Sequence, residues 1–412
     1  MRKPVGLFHL FPLFLVIAID SMGLGILFPI LSDLLINHHA HFLPGHDTNF
    51  MRELLYGVTI GIYMIAWFFG SALFGDLSDM IGRKKSLMMC LVGAAIGYFI
   101  SAVAIYCDSV LFLIVGRVIA GFTAGSQPIA QAAIVDVSTD ETRARNIGYI
   151  LLAVSIGFVL GPFAGGILSD STLVSWFQYD TPLYFAAILS FINCILLFFS
   201  FKETFVSTRK VQIKLHHAIT VFIHAFQSKR IRLLSLVLFV ETAGWSEYFT
   251  FISQFLLRRF HYSVQESSFF IAVLAIGFSI GFGFLVDPVS KRFNHKKCVI
   301  TTLLIASLFF LITALSGNST LVWILAFIIG LIVSLLYSLL ITIFSNQVNK
   351  DEQGWVMGIT NSVSALSFGV TALISGFAAD FSPAMPIYLA AVGFAAAALL
   401  LRRAHLTKIN PS

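Results

Sequence analysis

"LFGDLSDMIGRKKS", residues 73–86, lies between two long apolar runs, and seven of its fourteen side chains are acidic, basic or hydroxyl-bearing. A connection between two helices needs only to be polar. This one sets Gly75 and Gly82 around Asp76 and Asp79, then places Arg83, Lys84 and Lys85 in a row. The two glycines allow a close helix approach and a tight turn. Asp79 and Arg83 can pair with each other and with the start of a neighbouring helix. Asp136, at the end of the fourth apolar run, is the expected third member. Together they form a charge latch that holds one conformation closed. A plainer reading is a basic loop that only orients the protein across a bilayer. The surroundings of the stretch decide between the two.

Of the 412 residues, 58% are hydrophobic and 11% charged, with a mean hydropathy of +0.90. A soluble domain carries roughly a quarter charged residues, so this chain has too few to cover a water-facing surface. Its apolar runs are continuous and about twenty residues long, the length of a membrane-spanning helix. A spanning barrel would instead show alternating segments of about ten residues. The runs centre on 7–31, 57–75, 86–106, 109–135, 147–168 and 182–201, and then on 231–256, 267–286, 298–316, 321–345, 355–379 and 384–402. The predicted architecture is therefore an all-α polytopic membrane protein of twelve transmembrane helices in two pseudo-symmetric six-helix bundles. Residues 1–201 make the first bundle and 231–412 the second, joined by a basic linker at 202–230. Within that linker, "LHHAITVFIHAF" has the pattern of a surface helix.

Charge placement sets the orientation. With the N-terminus cytoplasmic, 22 of the 26 Lys and Arg fall in cytoplasmic segments; Arg52, Arg258 and Arg259 fall outside and Arg117 within a span. Both termini are thus expected in the cytoplasm. The net charge of +6 follows from this arrangement and gives no reason to expect a nucleic-acid partner. Residues 1–31 continue as a full span without a small-residue cleavage pattern. The four cysteines, far apart, form no disulfide framework and no metal motif. His38, His39, His41 and His46 have a spacing that fits no closed metal site, so a solvated loop is expected there.

The halves read as repeats. "IDSMGLGILFPILSDLL" (19–35) aligns with "VETAGWSEYFTFISQFL" (240–256), placing Asp20 with Glu241, Gly23 with Gly244 and Ser32 with Ser253. "VSTDETRARNIG" (137–148) resembles "VNKDEQGWVMG" (348–358), and both lie between the fourth and fifth span of their half. A duplicated six-helix unit is a transporter pattern.

With this layout, "GDLSDMIGRKKSL" (75–87) resembles the loop signature of the major facilitator superfamily through Gly75, Leu77, Asp79, Gly82, Arg83, Lys84 and Leu87. Met80 replaces a basic residue common there. "GRVIAG" (116–121) and "GFVLGPFAGG" (157–166) follow in the order of the twelve-helix drug:proton antiporter branch, and "IDSMGLGILFPIL" (19–31) is similar to the first span of tetracycline exporters. Gly157, Gly161 and Gly165 are four apart, so one helix face carries no side chains and can pack backbone to backbone. Pro162 adds a kink, and Gly166 extends the run. Ordinary close packing explains such a face as well. The resemblance implies that it belongs to an antiporter that exports.

Four ionisable residues lie deep in spans, where each is by default a functional candidate: Asp20, Arg117, Glu241 and Glu247. At 1.5 Å per residue, Asp20 is about 20 Å from the inner end of its span and Arg117 about 12 Å from the outer end of its own. In a core roughly 30 Å thick these depths are similar, and both helices line the central cavity in the family. Asp20 and Arg117 could then pair and couple a proton to opening, or simply position two helices. Glu241 takes the repeat-equivalent place without an arginine; by depth, Gly330, Ser334, Tyr337 and Ser338 are its candidate neighbours. It reads equally as a proton carrier or as a neutral acid bonded to a hydroxyl. Gln127, Gln131, Trp245, Glu247, Tyr248, Phe249, Tyr337 and Asn361 complete the expected substrate cavity.

These readings and the resemblance together imply a proton-coupled secondary transporter of the bacterial inner membrane, not an enzyme. It would act as a monomer without a cofactor or metal and export a small amphipathic or cationic compound. One arginine against three carboxylates leaves the buried charges at −2, which favours a cation or a neutral molecule. A metabolite carrier on the same fold, for instance for a siderophore, is the alternative. A receptor that keeps the fold without transport would leave the latch and the buried charges without purpose. No phosphate-binding Gly-rich loop appears, so ATP-driven transport is not expected. Tetracycline itself is disfavoured, because 267–286 and 298–316 contain neither the histidine nor the aspartate that exporters of that drug carry there.

Overall fold

In lipid, every backbone N–H and C=O must be satisfied inside its own segment, so continuous apolar runs fold as helices. The computed structural model describes residues 7–44, 47–138, 140–204, 216–349 and 352–404. In chain order the helices are α1 (Leu7–Ile36), α2 (Asn49–Ile81), α3 (Arg83–Tyr106), α4 (Val110–Thr123), α5 (Ser126–Asp136), α6 (Asp140–Leu168) and α7 (Thr181–Ser200). There follow α8 (His216–Gln227), α9 (Arg232–Phe260), α10 (Val264–Ile280), α11 (Val286–Arg292), α12 (His295–Leu315), α13 (Ser319–Ser345), α14 (Gln353–Phe381) and α15 (Met385–Arg403).

Among the described residues, ten helices are long and apolar enough to cross a bilayer. Two of these are composite. Val110–Asp136 joins α4 to α5, and Val264–Arg292 joins α10 to α11 through a π-turn at Gly281–Leu285. The two other predicted spans fall on α6 and α9, each 29 residues long. Glu241, Glu247, Arg258 and Arg259 make α9 more polar than the rest. The fold is all-α and polytopic, and the helix count fits the twelve predicted spans. Outward-facing side chains such as Phe99, Phe191, Phe199 and Leu308 are exposed and apolar, as a lipid-facing surface requires.

Of the linker expected at 202–230, residues 205–215 lie outside the described residues, and Arg209, Lys210 and Lys214 with them. Its second part forms α8. This helix packs on α9 and α14, with Phe226 and Phe239 at 6.4 Å, and leaves Ile219 and Ile223 exposed one turn apart. His46 of the histidine-rich loop is likewise outside the described residues. His38 and His39 sit exposed on a short 3-10 turn capped by Asn37.

Contacts divide the chain into two units. Unit 1 comprises Met1–Asp47, Ile62–Leu215 and Ser263–Ala272; unit 2 comprises Thr48–Gly61, His216–Tyr262 and Val273–Ser412. The sequence places the division in the linker, whereas α2 and α10 each change unit part-way along. Glycines explain both exchanges. A methyl on Gly57 would stand 2.5 Å from the carbonyl oxygen of Ala372, and one on Gly376 2.7 Å from that of Glu53, so the first half of α2 lies backbone to backbone on α14. Likewise a methyl on Gly166 of α6 would meet Ser268 of α10 at 2.8 Å.

Within unit 1, α1 runs along α6. Methyls on Gly157, Gly161 and Gly165 would stand 2.3, 2.5 and 2.8 Å from the carbonyl oxygens of Ala18, Met22 and Ile26. A methyl on Gly25 would meet the Pro162 ring at 2.5 Å. Leu13, Val16, Ile17, Cys90, Leu91, Ala133, Ile134 and Leu197 fill the core beside this contact. In unit 2, α9 is tied to α14 by Ser367 Oγ donating to the Phe239 carbonyl at 2.6 Å and Ser246 Oγ donating to that of Phe368 at 3.1 Å.

Because backbone, not a movable side chain, fills the space at Gly161, Gly161→Leu is expected to part α1 from α6. Overpacking of this kind costs about 1–3 kcal/mol. The variant should show a lowered melting temperature in detergent and lose its activity in the membrane, whereas Leu160→Ala on the exposed side of the same helix should change neither.

Candidate functional site

The charged stretch at 73–86 forms a closed network in unit 1. Helix α2 ends at Ile81 and α3 begins at Arg83, with Gly82 between them at φ +101°. That left-handed turn brings Arg83 back onto the last turn of α2. Its NH1 pairs with Asp79 Oδ1 at 2.7 Å and donates to Ser78 Oγ at 2.5 Å, while its Nε pairs with Asp136 Oδ2 at 3.2 Å. Asp136 is the last residue of α5, so one guanidinium ties three helix ends together. Glu203 completes the network from beyond α7. Its carboxylate accepts the backbone N–H of Arg83 at 2.8 Å and of Lys84 at 3.1 Å, the place where a helix N-terminus favours an anion. Lys84 Nζ donates to the Phe198 carbonyl at 2.7 Å and lies 5.3 Å over the Phe198 ring.

Gly82 is needed twice over. Its φ suits glycine, and a methyl there would stand 2.3 Å from Glu203 Oε2. Gly75 differs from the expectation: a methyl there would meet nothing within 4 Å, so it makes no close helix contact.

Asp20 is buried in the middle of α1. Ser126 Oγ donates to its carboxylate, and so does the backbone N–H of Gln127. The second donor is free because the fourth span is broken. Helix α4 stops at Thr123, Ala124 and Gly125 turn the chain, and α5 restarts at Ser126 with Pro128 in its first turn. A half-helix N-terminus inside the bundle thus points at a buried carboxylate, and its positive dipole end stabilises the ionised form.

Arg117, 3% exposed, lies two turns earlier on α4, with its guanidinium 4.0 Å over the Tyr63 ring. A methyl on Gly116 would meet Ser101 Oγ at 2.3 Å and one on Gly121 the Tyr63 carbonyl at 2.3 Å, so the glycines of "GRVIAG" let α2 and α3 close around the arginine. The expected Asp20–Arg117 pair is thus replaced by separate partners. The depth estimate ended the first span at residue 31; α1 runs to Ile36, so Asp20 lies about 24 Å before that end, level with Ser126 about 24 Å into the fourth span and not with Arg117 about 10 Å in. Tyr63 and Tyr98 stand within electrostatic range of both charges and link them.

In unit 2, Glu241 is 3% exposed and accepts Thr242 Oγ1 at 3.2 Å, with Tyr337 of α13 within electrostatic range. Two other neighbours suggested by depth do other work. Gly330 packs on α10, its methyl position 2.2 Å from the Leu274 carbonyl, and Ser334 donates back to Leu331 at 2.8 Å. Trp245 is half-buried, stacks on Phe249 at 5.4 Å and meets Phe278 at the same distance. Tyr337 and Asn361 are exposed, and Gln127 and Gln131 half-buried on α5.

Two expected cavity residues lie inside the helix packing instead. Tyr248 is fully buried, stacked on Phe310 at 4.6 Å, and Glu247 is buried with Ser375 Oγ donating to it. The 100° step per residue turns Glu247, two positions on, away from the Trp245 face, whereas Tyr248, three on, stays beside it with the ring centroids 6.0 Å apart.

Sequence reasoning missed Glu203, Tyr63, Tyr98 and Ser126. Only Ser126 carried a local signal, the helix-start pattern of Gly125, Ser126 and Pro128.

A duplicated all-α membrane fold with charges buried at mid-span and a charged turn between its second and third spans defines a multi-pass transporter rather than an enzyme. The family model of the Major Facilitator Superfamily matches residues 13–372 and again 234–411, and the chain belongs to that superfamily. It is 27% identical over 353 residues to the class C tetracycline resistance protein of Escherichia coli, covering 85% of this chain and 84% of that one. It is 25% identical to the quinolone resistance protein NorA of Staphylococcus aureus, covering 98% of both chains. The solved structure of the human organic anion transporter MFSD10 has the same fold, with a TM-score of 0.72 at 20% identity over 97% of this chain and all of that one.

The latch makes a discriminating prediction. Gly82→Ala is expected to abolish transport and lower thermal stability, because it forces an alanine into a backbone region reserved for glycine, at about 1–3 kcal/mol, against Glu203. Gly75→Ala should leave both unchanged. Transport in vesicles and melting in detergent check the pair.

Proposed function

We propose that this protein is a proton-coupled antiporter of the bacterial inner membrane, both termini cytoplasmic, exporting a small amphipathic or cationic compound by alternating access as a monomer. The observation that carries this reading is Asp20, a buried carboxylate held by Ser126 and the N-terminus of α5. Ionised, Asp20 binds that half-helix through charge; protonated, it gives up most of the interaction, and α1 is released from α5. A proton can therefore exchange for movement of the wall that carries Gln127 and Gln131. Glu241, the repeat-equivalent acid, supplies the counter-charge for a cation beside Trp245 and Tyr337. The Arg83 network with Asp79, Asp136 and Glu203 holds the cytoplasmic ends of α2, α3 and α5 together in one state and opens in the other.

Two further observations support export in particular: the glycine face of α6, and relatives named for resistance to tetracycline and quinolones. Tetracycline is not the favoured substrate, because the eighth and ninth spans carry neither histidine nor aspartate across 267–286 and 298–316.

A panel of amphipathic cations applied to everted membrane vesicles, with collapse of the pH gradient as readout, tests the assignment. Asp20→Asn is expected to abolish gradient-driven accumulation while substrate counterflow continues, since the cavity is intact. Accumulation at the parent level by Asp20→Asn would move coupling to Glu241.

A further inference from the structure

At the end of α9 away from the linker, Glu53 of α2 is fully buried, pairing with Arg258 at 2.6 Å and accepting Gln254 Nε2 at 2.6 Å. Glu53, Gln254 and Arg258 all belong to unit 2. Neither the latch nor the Asp20 site uses them. Arg52 and Tyr56 flank Glu53 on its own helix, and Asp380 of α14 acts on it electrostatically.

The cluster is the outer end of a longer feature. Glu247, Thr250, Gln254 and Arg258 follow one another at spacings of three, four and four, which places them on one face of α9. Tyr56 of α2 donates to the Thr250 carbonyl at 2.5 Å, so α2 covers this face. From α14, Ser375 donates to Glu247, while Gly376 beside it packs on the Glu53 backbone. Along this covered seam, Glu53 Oε2, Gln254 Oε1, Thr250 Oγ1 and Glu247 Oε2 are buried oxygens with no hydrogen-bond partner among the described residues. A single such atom is an exception in a folded protein; four in a row, with a carboxylate at each end and Gln254 and Thr250 between, are sites that bind water.

We propose that this seam is a proton inlet: Glu53 takes a proton from water at the outer surface, and water held on Gln254 and Thr250 relays it to Glu247. The inlet rests on reading the chain as proton-coupled with the Arg258 end of α9 facing outward. From Glu247 to Gln254 the helix rises about 10 Å, a span that a few hydrogen-bonded waters cover. The O–H bond formed on Glu53 breaks as the one on Glu247 forms, so the net step moves one proton and no other charge. Protonation of Glu53 also frees Arg258 from its pair, which ties arrival of the proton to loosening of α2 from α9.

The test uses purified full-length protein without substrate: infrared difference spectra after a rapid acid step, in H2O and in D2O. The parent should show two protonated-carboxyl components, one lost in Glu53→Gln and the other in Glu247→Gln. Thr250→Val keeps the shape of threonine but removes the hydroxyl. It should retain both components while the Glu247 component appears at least about tenfold more slowly, with a larger solvent isotope effect. Unchanged spectra in Glu53→Gln, or an unchanged Glu247 rate and isotope effect in Thr250→Val, would overturn the inlet. Should Glu53→Gln fail to fold, Thr250→Val decides alone. Loss of the seam signals with counterflow intact in the parent refutes the inlet only, whereas absence of counterflow in the parent refutes the transport reading.

Discussion

A carboxylate inside a lipid-embedded bundle must be held by donors that the bundle itself provides, since an unpaired buried charge costs several kcal/mol. Asp20 shows how much of unit 1 follows from that need. Its donors are Ser126 Oγ and the N–H of Gln127, the latter freed because the fourth span stops and restarts at Ala124 and Gly125. The restart reaches α1 only if α1 is held at a fixed depth. The glycine face of α6 provides this, with carbonyls of Ala18, Met22 and Ile26 pressed against Gly157, Gly161 and Gly165. Packing that could pass for generic close contact thus sets the position of the buried charge.

Helix ends are used twice in unit 1. At mid-span the start of α5 meets Asp20, and at the loop between the second and third spans the start of α3 meets Glu203. The second arrangement is cooperative. Gly82 turns the chain so that Arg83 offers its backbone N–H to Glu203 and its guanidinium to Asp79 and Asp136. Asp20 meets one end of α5, and Asp136 sits at the other end of the same eleven-residue helix. Helix α5 therefore connects the buried acid directly to the Arg83 network.

The spans, the repeat and the Asp79–Arg83–Asp136 set were legible because each leaves a local pattern: runs of about twenty apolar residues, matched segments, and a charged turn in register with glycines. Glu203 was not legible, because it meets Arg83 across 120 positions of sequence. Asp20 was legible as a buried charge, but its partner was not. Matching depths in a first span ended at residue 31 gave Arg117, whereas α1 runs on to Ile36, which sets Asp20 level with Ser126 and leaves Arg117 over Tyr63. Arg258 reads only as a basic residue outside the cytoplasmic segments and Glu53 carries no signal of its own; their pairing joins α2 to α9 across about half the length of the chain.

The central claim is that Asp20 carries the coupled proton. Proton release on binding of an exported cation, followed with a pH indicator in weakly buffered solution of the purified protein, tests it most directly. The account predicts release by the parent protein and none by Asp20→Asn at matched cation occupancy. Equal release from the two proteins would contradict it.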